Sequence, residues 1–321
     1  MLNKRKSEAI KVCKRCVFED AKMTNYKYSL AFNLFLFLSV TTLTVLAAGC
    51  SSSNSPETVV SAQSPIVAEK NDVKNGFDHS QYESLLKSYV DENGKVDYDG
   101  FGKDRAKLDA YLDSLGKANP AAFAGDDERN AFYINAYNAF TIRDVLDDVY
   151  GKTDSVKKVD GFWDKKKHRV GGMDLTLDKI EKTSRDFKDP RVHFAVNCAS
   201  TSCPKLQRFA FTGDKLQEQF AFITKDFLAD EKRGLKVDRE RNKIWISKIF
   251  SWYAGDFTGD TSSFGFVKGF IKSKFSASAG TNFIIDKITP ETAEFIKEKN
   301  PDVSYLDYDW TLNSQIPPPK K

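Results

Sequence analysis

Apolar positions recur at helical spacing along most of the chain. Tyr82, Leu85, Leu86 and Tyr89 share one face and predict a helix over 80–90, and Leu108, Tyr111, Leu112 and Leu115 predict another over 103–115, ended by Asn119-Pro120. Between them the polar run Asp91 to Asp97 resembles the first half of a calcium loop, but the closing glutamate is missing, so a polar turn is expected. A long helix over 129–150 turns Ala131, Ile134, Ile142, Val145 and Val149 inward, and Asp126-Asp127-Glu128 suit the positive end of its dipole. Asn138 lies on that inward face with Asn135 beside it. A buried amide must find partners, so both are expected to clamp a neighbouring loop rather than act directly in catalysis. Over 178–187, Leu177 and Ile180 point inward and carry Glu181 and Ser184 with them.

Further helices are predicted from Asp214 through Phe227, from a Ser247 cap through Tyr253, over 264–271, and after Pro290. Alternating or β-branched stretches predict a hairpin about Gly171-Gly172, a second over 235–247, strands on either side of the Pro290 helix, and a short buried strand over 192–197 opened by Asp189-Pro190. The pattern as a whole predicts an α/β fold, α+β-like, with a helical N-terminal half packed on a mostly antiparallel sheet. One globular domain is expected over 76–310 with a loose tail over 311–321; no internal repeat is visible.

Composition changes the picture mainly at the N-terminus. The chain has 321 residues, 40% hydrophobic and 29% charged, with a net charge of +4. Residues 1–49 hold eight Lys/Arg and three Asp/Glu, which leaves 41 basic against 42 acidic residues in the remainder. The remainder is nearly neutral and lacks the basic footprint of a nucleic-acid binder. The apolar run 30–48 follows basic residues and ends in Leu46-Ala47-Ala48-Gly49-Cys50, which looks like a bacterial lipoprotein signal; Ala47 stands where such signals prefer leucine. Residues 1–49 are therefore expected to be a signal, with Met23 a possible true start, and Cys50 a lipidated N-terminus. Ser51 after it resembles the sorting rule for the outer membrane, so the expected location is the bacterial cell envelope, facing the periplasm. Residues 50–75 read as a flexible tether. The Cys13/Cys16 pair precedes the signal and has no second ligand pair, so it carries no metal expectation.

The candidate chemistry sits in Asp189-Pro190-Arg191-Val192-His193-Phe194-Ala195-Val196-Asn197-Cys198-Ala199-Ser200-Thr201-Ser202-Cys203-Pro204, where a histidine and two cysteines fall within eleven positions. Three readings stay open. A cysteine is a thiolate activated by His193, with Glu181 orienting the imidazole and the N–H groups of Ser202 and Cys203 donating to an oxyanion. Alternatively, Cys198 and Cys203 form a disulfide, as an oxidising compartment favours. Or His193, Glu181 and the cysteines hold zinc, although the usual paired spacing is absent. Strand alternation puts His193 and Asn197 on one face and Cys198 on the other, which favours Cys203 as nucleophile. No cofactor is expected. His79 and His168 are expected at the surface or in a hairpin.

This stretch resembles the signature of the bacterial domain-of-unknown-function 547 family. Phe132-Tyr133-Ile134-Asn135-Ala136-Tyr137-Asn138-Ala139, Leu177 to Glu181, and Ser247-Lys248-Ile249-Phe250-Ser251-Trp252-Tyr253 fit the same family, over roughly 82–270. The resemblance implies a cysteine-peptidase-like core; the order Glu, His, Cys requires it to be a permuted papain- or transglutaminase-like fold. The family carries no agreed activity; the glutamate, the histidine and the cysteine loop are what point to a cysteine-dependent acyl-transfer enzyme, such as an amide or peptide hydrolase, acting on an envelope substrate that the residues do not name. The alternative is a non-catalytic envelope binding or scaffold module in which the two cysteines are a staple.

Overall fold

The computed structural model describes residues 76–258 and 288–316. The signal, tether and Cys50, the helix expected over 264–271, the strand expected before Pro290 and Pro317 to Lys321 lie outside the described residues. All described residues fall in one contact unit, Glu69–Lys321.

The first helices follow the sequence pattern closely. Helix α1 (Ser80–Tyr89) buries Tyr82, Leu85 and Leu86. The polar run after it is a turn in which Asp91 Oδ1 accepts from the N–H groups of Asn93 and Lys95, both at 2.8 Å. Gly94 is required there twice over: its φ is +74°, and a Cβ would meet Lys205 at 2.6 Å. A short helix that the spacing does not announce follows, α2 (Tyr98–Lys103), whose N-cap Asp97 accepts from Gly100 N–H, and the helix expected over 103–115 is α3 (Arg105–Lys117). Helix α4 (Asp126–Asp148) is the centre of the molecule, and every residue from Asn130 to Ile142 is buried. One amphipathic stripe understates it, because neighbours cover all its faces.

Strands β1 (His168–Val170) and β2 (Met173–Leu175) form the expected antiparallel hairpin. Gly171 and Gly172 both take positive φ, as a tight two-residue turn demands, and their N–H groups donate to Leu115 and Gly116 O at the end of α3. Helix α5 (Leu177–Arg185) buries Leu177, Ile180, Glu181 and Ser184, all four as expected from spacing. Helix α7 (Leu216–Ala229) leads to β3 (Leu235–Asp238) and β4 (Lys243–Ile246), which pair antiparallel. After α8 (Ile249–Trp252) and α9 (Ala254–Thr258), α10 (Pro290–Lys299) ends on Asn300 in the left-handed conformation, and β5 (Asp302–Tyr305) joins β4 in parallel. The class is mixed α/β as expected, but the sheet comes in two small pieces, a two-stranded antiparallel hairpin and a three-stranded mixed sheet with order β3-β4-β5.

Two expectations are corrected. Residues 192–197 do not form a strand: Val192–Ala195 is a single helical turn, α6. Asp189-Pro190 starts it. The Val192 N–H donates to Asp189 O, the His193 N–H to Pro190 O and the Phe194 N–H to Arg191 O, while Asp189 Oδ1 accepts from Arg191 N–H. Proline keeps the residue before it out of the helical region, yet suits the first helical position itself, where its missing N–H costs nothing. The residues expected as a tail from 311 are also packed up to Gln315. Leu312, Asn313 and Ser314 are buried, and single bridges join Ser200 to Leu312 and Val96 to Ser314.

Candidate functional site

Helix α4 supplies the support. Asn138 donates Nδ2–H to Ala195 O at 2.9 Å and accepts from Asn197 N–H at 2.8 Å, which ties the end of α6 to the core. Asn135 clamps Phe211 through both its backbone groups, at 2.7 and 3.0 Å. Asn197 in turn donates to Pro204 O at 2.8 Å and accepts from Ala199 N–H at 2.9 Å and Asn313 Nδ2–H at 3.1 Å. Ala199 takes φ 61° there, a conformation that costs an L-residue on the order of 1–2 kcal/mol. Three buried amides therefore fix a short loop from 197 to 204.

Within that loop Cys198 and Cys203 are joined by a disulfide. In this form no free thiolate exists. Cys203 is 4% exposed, and Cys198 is half-buried. The Cys198 N–H donates to Cys203 Sγ at 3.0 Å, and the Tyr308 hydroxyl lies 3.2 Å from Cys203 Sγ and 3.4 Å from Cys198 Sγ. The N–H groups expected to face an oxyanion are committed elsewhere: Ser202 N–H donates to Asp309 O and Cys203 N–H to Ser200 O, both at 3.1 Å. Ser202 Oγ accepts from Asp309 N–H at 2.9 Å, and Thr201 N–H donates to Thr311 O at 2.8 Å. The segment from Tyr308 to Gln315 is thus a strap laid along the loop.

His193 and Glu181 do not pair with each other as expected. His193 Nε2 bonds Asp256 Oδ2 at 2.7 Å, and Asp256 also accepts from Arg185 Nε at 2.6 Å. The imidazole stacks on Tyr253, ring centroids 4.0 Å apart, with the Phe257 ring 5.4 Å away, and Arg185 sits over the Tyr253 ring. Burial pushes the His193 pKa down, against the raising effect of Asp256, so the ring is held towards its neutral form. Burial pushes Asp256 up, but hydrogen bonds from His193 and Arg185 outweigh it and hold the carboxyl well below its usual range. Glu181 reaches the same cluster through Tyr253. Burial pushes its pKa up to about 7, against the pull of the Arg185 guanidinium and the Tyr253 hydrogen bond. No hydrogen bond joins His193 to either sulfur among the described residues. Among them no group of three or more His, Cys, Asp or Glu is gathered to hold a metal ion.

The outer side of the strap is aromatic. Tyr308 and Trp310 lie 4.7 Å apart between ring centroids, Trp252 lies 4.8 Å from Tyr308 and 5.7 Å from Trp310, and Trp163 lies 6.2 Å from Trp310. Lys157 Nζ lies over Trp310. Trp252 is 41% exposed and the other three rings are half-buried, so the four make a ledge beside the stapled loop. Periodicity does not mark any of these rings, because they come from a loop, α8 and the strap. Asp256 was more legible: it follows the Trp252-Tyr253 pair by three positions from Tyr253, close enough for the same face of a helix to be suspected.

The other histidines are buried rather than superficial. His79 packs among Phe77, Tyr111 and Phe132 and bonds the Tyr111 hydroxyl at 2.6 Å. His168 does lie in the hairpin, where its Nε2 is 2.9 Å from buried Asp144 and its ring stacks on Phe140.

No curated protein and no solved structure matches the chain. Residues 121–228 match the family model described as a protein of unknown function, DUF547; the matched stretch holds Asn135, Asn138, Glu181, His193, Asn197, Cys198 and Cys203, while Asp256 and the strap lie beyond it.

Proposed function

We propose that this is a cell-envelope lipoprotein, anchored through Cys50 and facing the periplasm, that serves as a binding module with a disulfide-stapled loop. The observation that carries the reading is the ledge of half-buried Trp163, Tyr308 and Trp310 with exposed Trp252, beside a loop whose polar groups are already committed. Rings packed 4.7–6.2 Å apart leave no slot between them for a cation or a flat ring, so a ligand lies on top. A saturated sugar ring suits that surface. Its C–H face covers the aromatic faces, and its hydroxyls meet the exposed Asp307 just before the strap and Asp309 and Thr311 within it. Titration with a soluble N-acetylglucosamine hexamer, followed by tryptophan fluorescence, is expected to saturate, with Trp252→Ala weakening binding about three- to tenfold. An unchanged fluorescence signal up to millimolar sugar removes the glycan reading. Cys50→Ala is expected to release the protein from membranes; unchanged fractionation removes the anchor.

A second reading is favoured by the two donors on Cys203 Sγ and by the buried Glu181. Once reduced, the protein hydrolyses amide or peptide bonds of an envelope substrate, with Cys203 or Cys198 as nucleophile, His193 as base, and Glu181 tuning the site from behind Tyr253. Labelling of the reduced protein by a cysteine-hydrolase activity probe, lost in His193→Ala with the fold intact, supports it. Labelling that survives that substitution marks a thiol that is merely exposed.

A further inference from the structure

The two sulfurs are unequal in a way that a simple staple does not need. Cys198 is half-buried and Cys203 is 4% exposed, so an approaching thiolate meets Cys198 Sγ first. Both sulfurs lie near hydroxyls, Cys198 Sγ with Ser200 Oγ at 3.3 Å and Tyr308 at 3.4 Å, but the sulfur that would leave also has a backbone donor, Cys198 N–H at 3.0 Å, and has the Tyr308 hydroxyl nearer, at 3.2 Å. Hydrogen bonds to an anion are the strong ones, and a stabilised thiolate is the better leaving group. The phenol remains a donor throughout, because burial pushes the Tyr308 pKa up, against the lowering effect of its bond to Ser200. The loop does not need the bridge to keep its shape. Asn138 and Asn197 hold one end, and the strap pairs with Thr201 and Ser202 at the other.

We propose that Cys198–Cys203 is a reversible redox site that exchanges with dithiol reductants, a role that goes beyond ligand binding at the ledge. A thiolate of the dithiol attacks Cys198 Sγ and forms a mixed disulfide. The Cys198–Cys203 bond breaks, and its electron pair stays on Cys203 as a thiolate held by Cys198 N–H and Tyr308 O–H. The second thiol of the reductant, after losing its proton to solvent, attacks its own bridging sulfur. The reductant leaves as a cyclic disulfide, and Cys198 departs as a thiolate that takes a proton from solvent. Two electrons have then passed from the dithiol to the protein, and the reverse sequence restores the bridge.

The test uses the folded chain from residue 51 onward, whose two cysteines are Cys198 and Cys203, in graded dithiothreitol and glutathione buffers, quenched with iodoacetamide and read by mass. The expected result is interconversion of both cysteines under conditions that keep the native circular dichroism, with Cys198 alkylated before Cys203 in the reduced protein. Thiolate absorbance of the reduced wild type is expected to titrate below the ordinary thiol value of about 8.5. Tyr308→Phe should raise that midpoint by about one unit and slow reduction several-fold. A bridge reduced only after unfolding overturns the proposal, and so does a wild-type midpoint at or above the ordinary value. The wild-type titration decides the matter even if Tyr308→Phe does not fold.

Discussion

At the scale of single residues, the sequence identified the buried carboxylate but not its partner. Glu181 lies one helical turn on from Leu177, so spacing alone turned it inward; His193, the partner expected for it, is instead satisfied by Asp256, 63 positions away. A carboxyl whose folded pKa is raised from 4.5 to about 7 holds its proton where the unfolded chain has lost it. The folded state therefore binds more protons between those values, and stability falls as pH rises from about 4.5 through 7. Glu181→Gln is expected to be more stable than wild type at pH 8, by on the order of 3 kcal/mol, and to lose that advantage below pH 4.5. Urea melts at the two pH values check this; a variant weaker at pH 8 would show that the ionised carboxylate stabilises the cluster. His79 has the opposite sign. Burial pushes its pKa down to about 3, so its neutral ring contributes stability above the ordinary histidine value that is lost as pH falls towards 3. Its ring resonances are expected to stay unshifted between pH 8 and 5, and a titration near 6.5 would contradict the burial.

At the scale of elements, helices were the most legible part. Periodicity located α1, α4, α5 and α7 to within a few residues, because each buries a stripe that repeats at 3.6. The failure at 192–197 has a specific cause. Six consecutive residues from Val192 to Asn197 are buried, and full burial erases the difference between period 2 and period 3.6. What remained was Asp189-Pro190, whose carbonyls accept from the Val192 and His193 N–H groups and so lead into the helical turn. Because the turn is helical, the face argument that separated Cys203 from Cys198 has no basis, and the two sulfurs meet. Asn138 is the residue on which α6 depends. Asn138→Ala leaves Ala195 O and Asn197 N–H buried without partners and is expected to cost about 3 kcal/mol, measured by denaturant midpoint. A loss under 1 kcal/mol would mean that water replaces the amide.

At the scale of the whole molecule, the C-terminal strap completes the site. Val96 N–H donates to Asn313 O, Leu312 N–H to Asp154 O, Asn313 N–H to Ala199 O, and Gln315 N–H to Val96 O, so a few residues tie together three distant parts of the chain. At a net contribution of about 1 kcal/mol each, these bonds and those to Thr201 and Ser202 approach the stability of an ordinary domain. Removal of 309–321 is therefore expected to lower the melting temperature steeply or prevent folding, and an unchanged melt would show the strap to be dispensable. The sequence by itself determined the α/β class, the central helix, the two glycine- and polar-turned hairpins, the inward Glu181 and the amide clamps. Each of these follows from local periodicity or from the obligation of a buried polar group to find a partner. Only the tertiary structure decided which partners those groups take: Asp256 for both His193 and Arg185, Tyr308 for the two sulfurs, and Trp252, Trp163 and Trp310 gathered from three segments into one ledge. The reason is physical. A hydrogen bond or ring contact between residues about 60–110 positions apart leaves no repeating signal along the chain, and it becomes defined only when packing of the helices fixes where their ends meet.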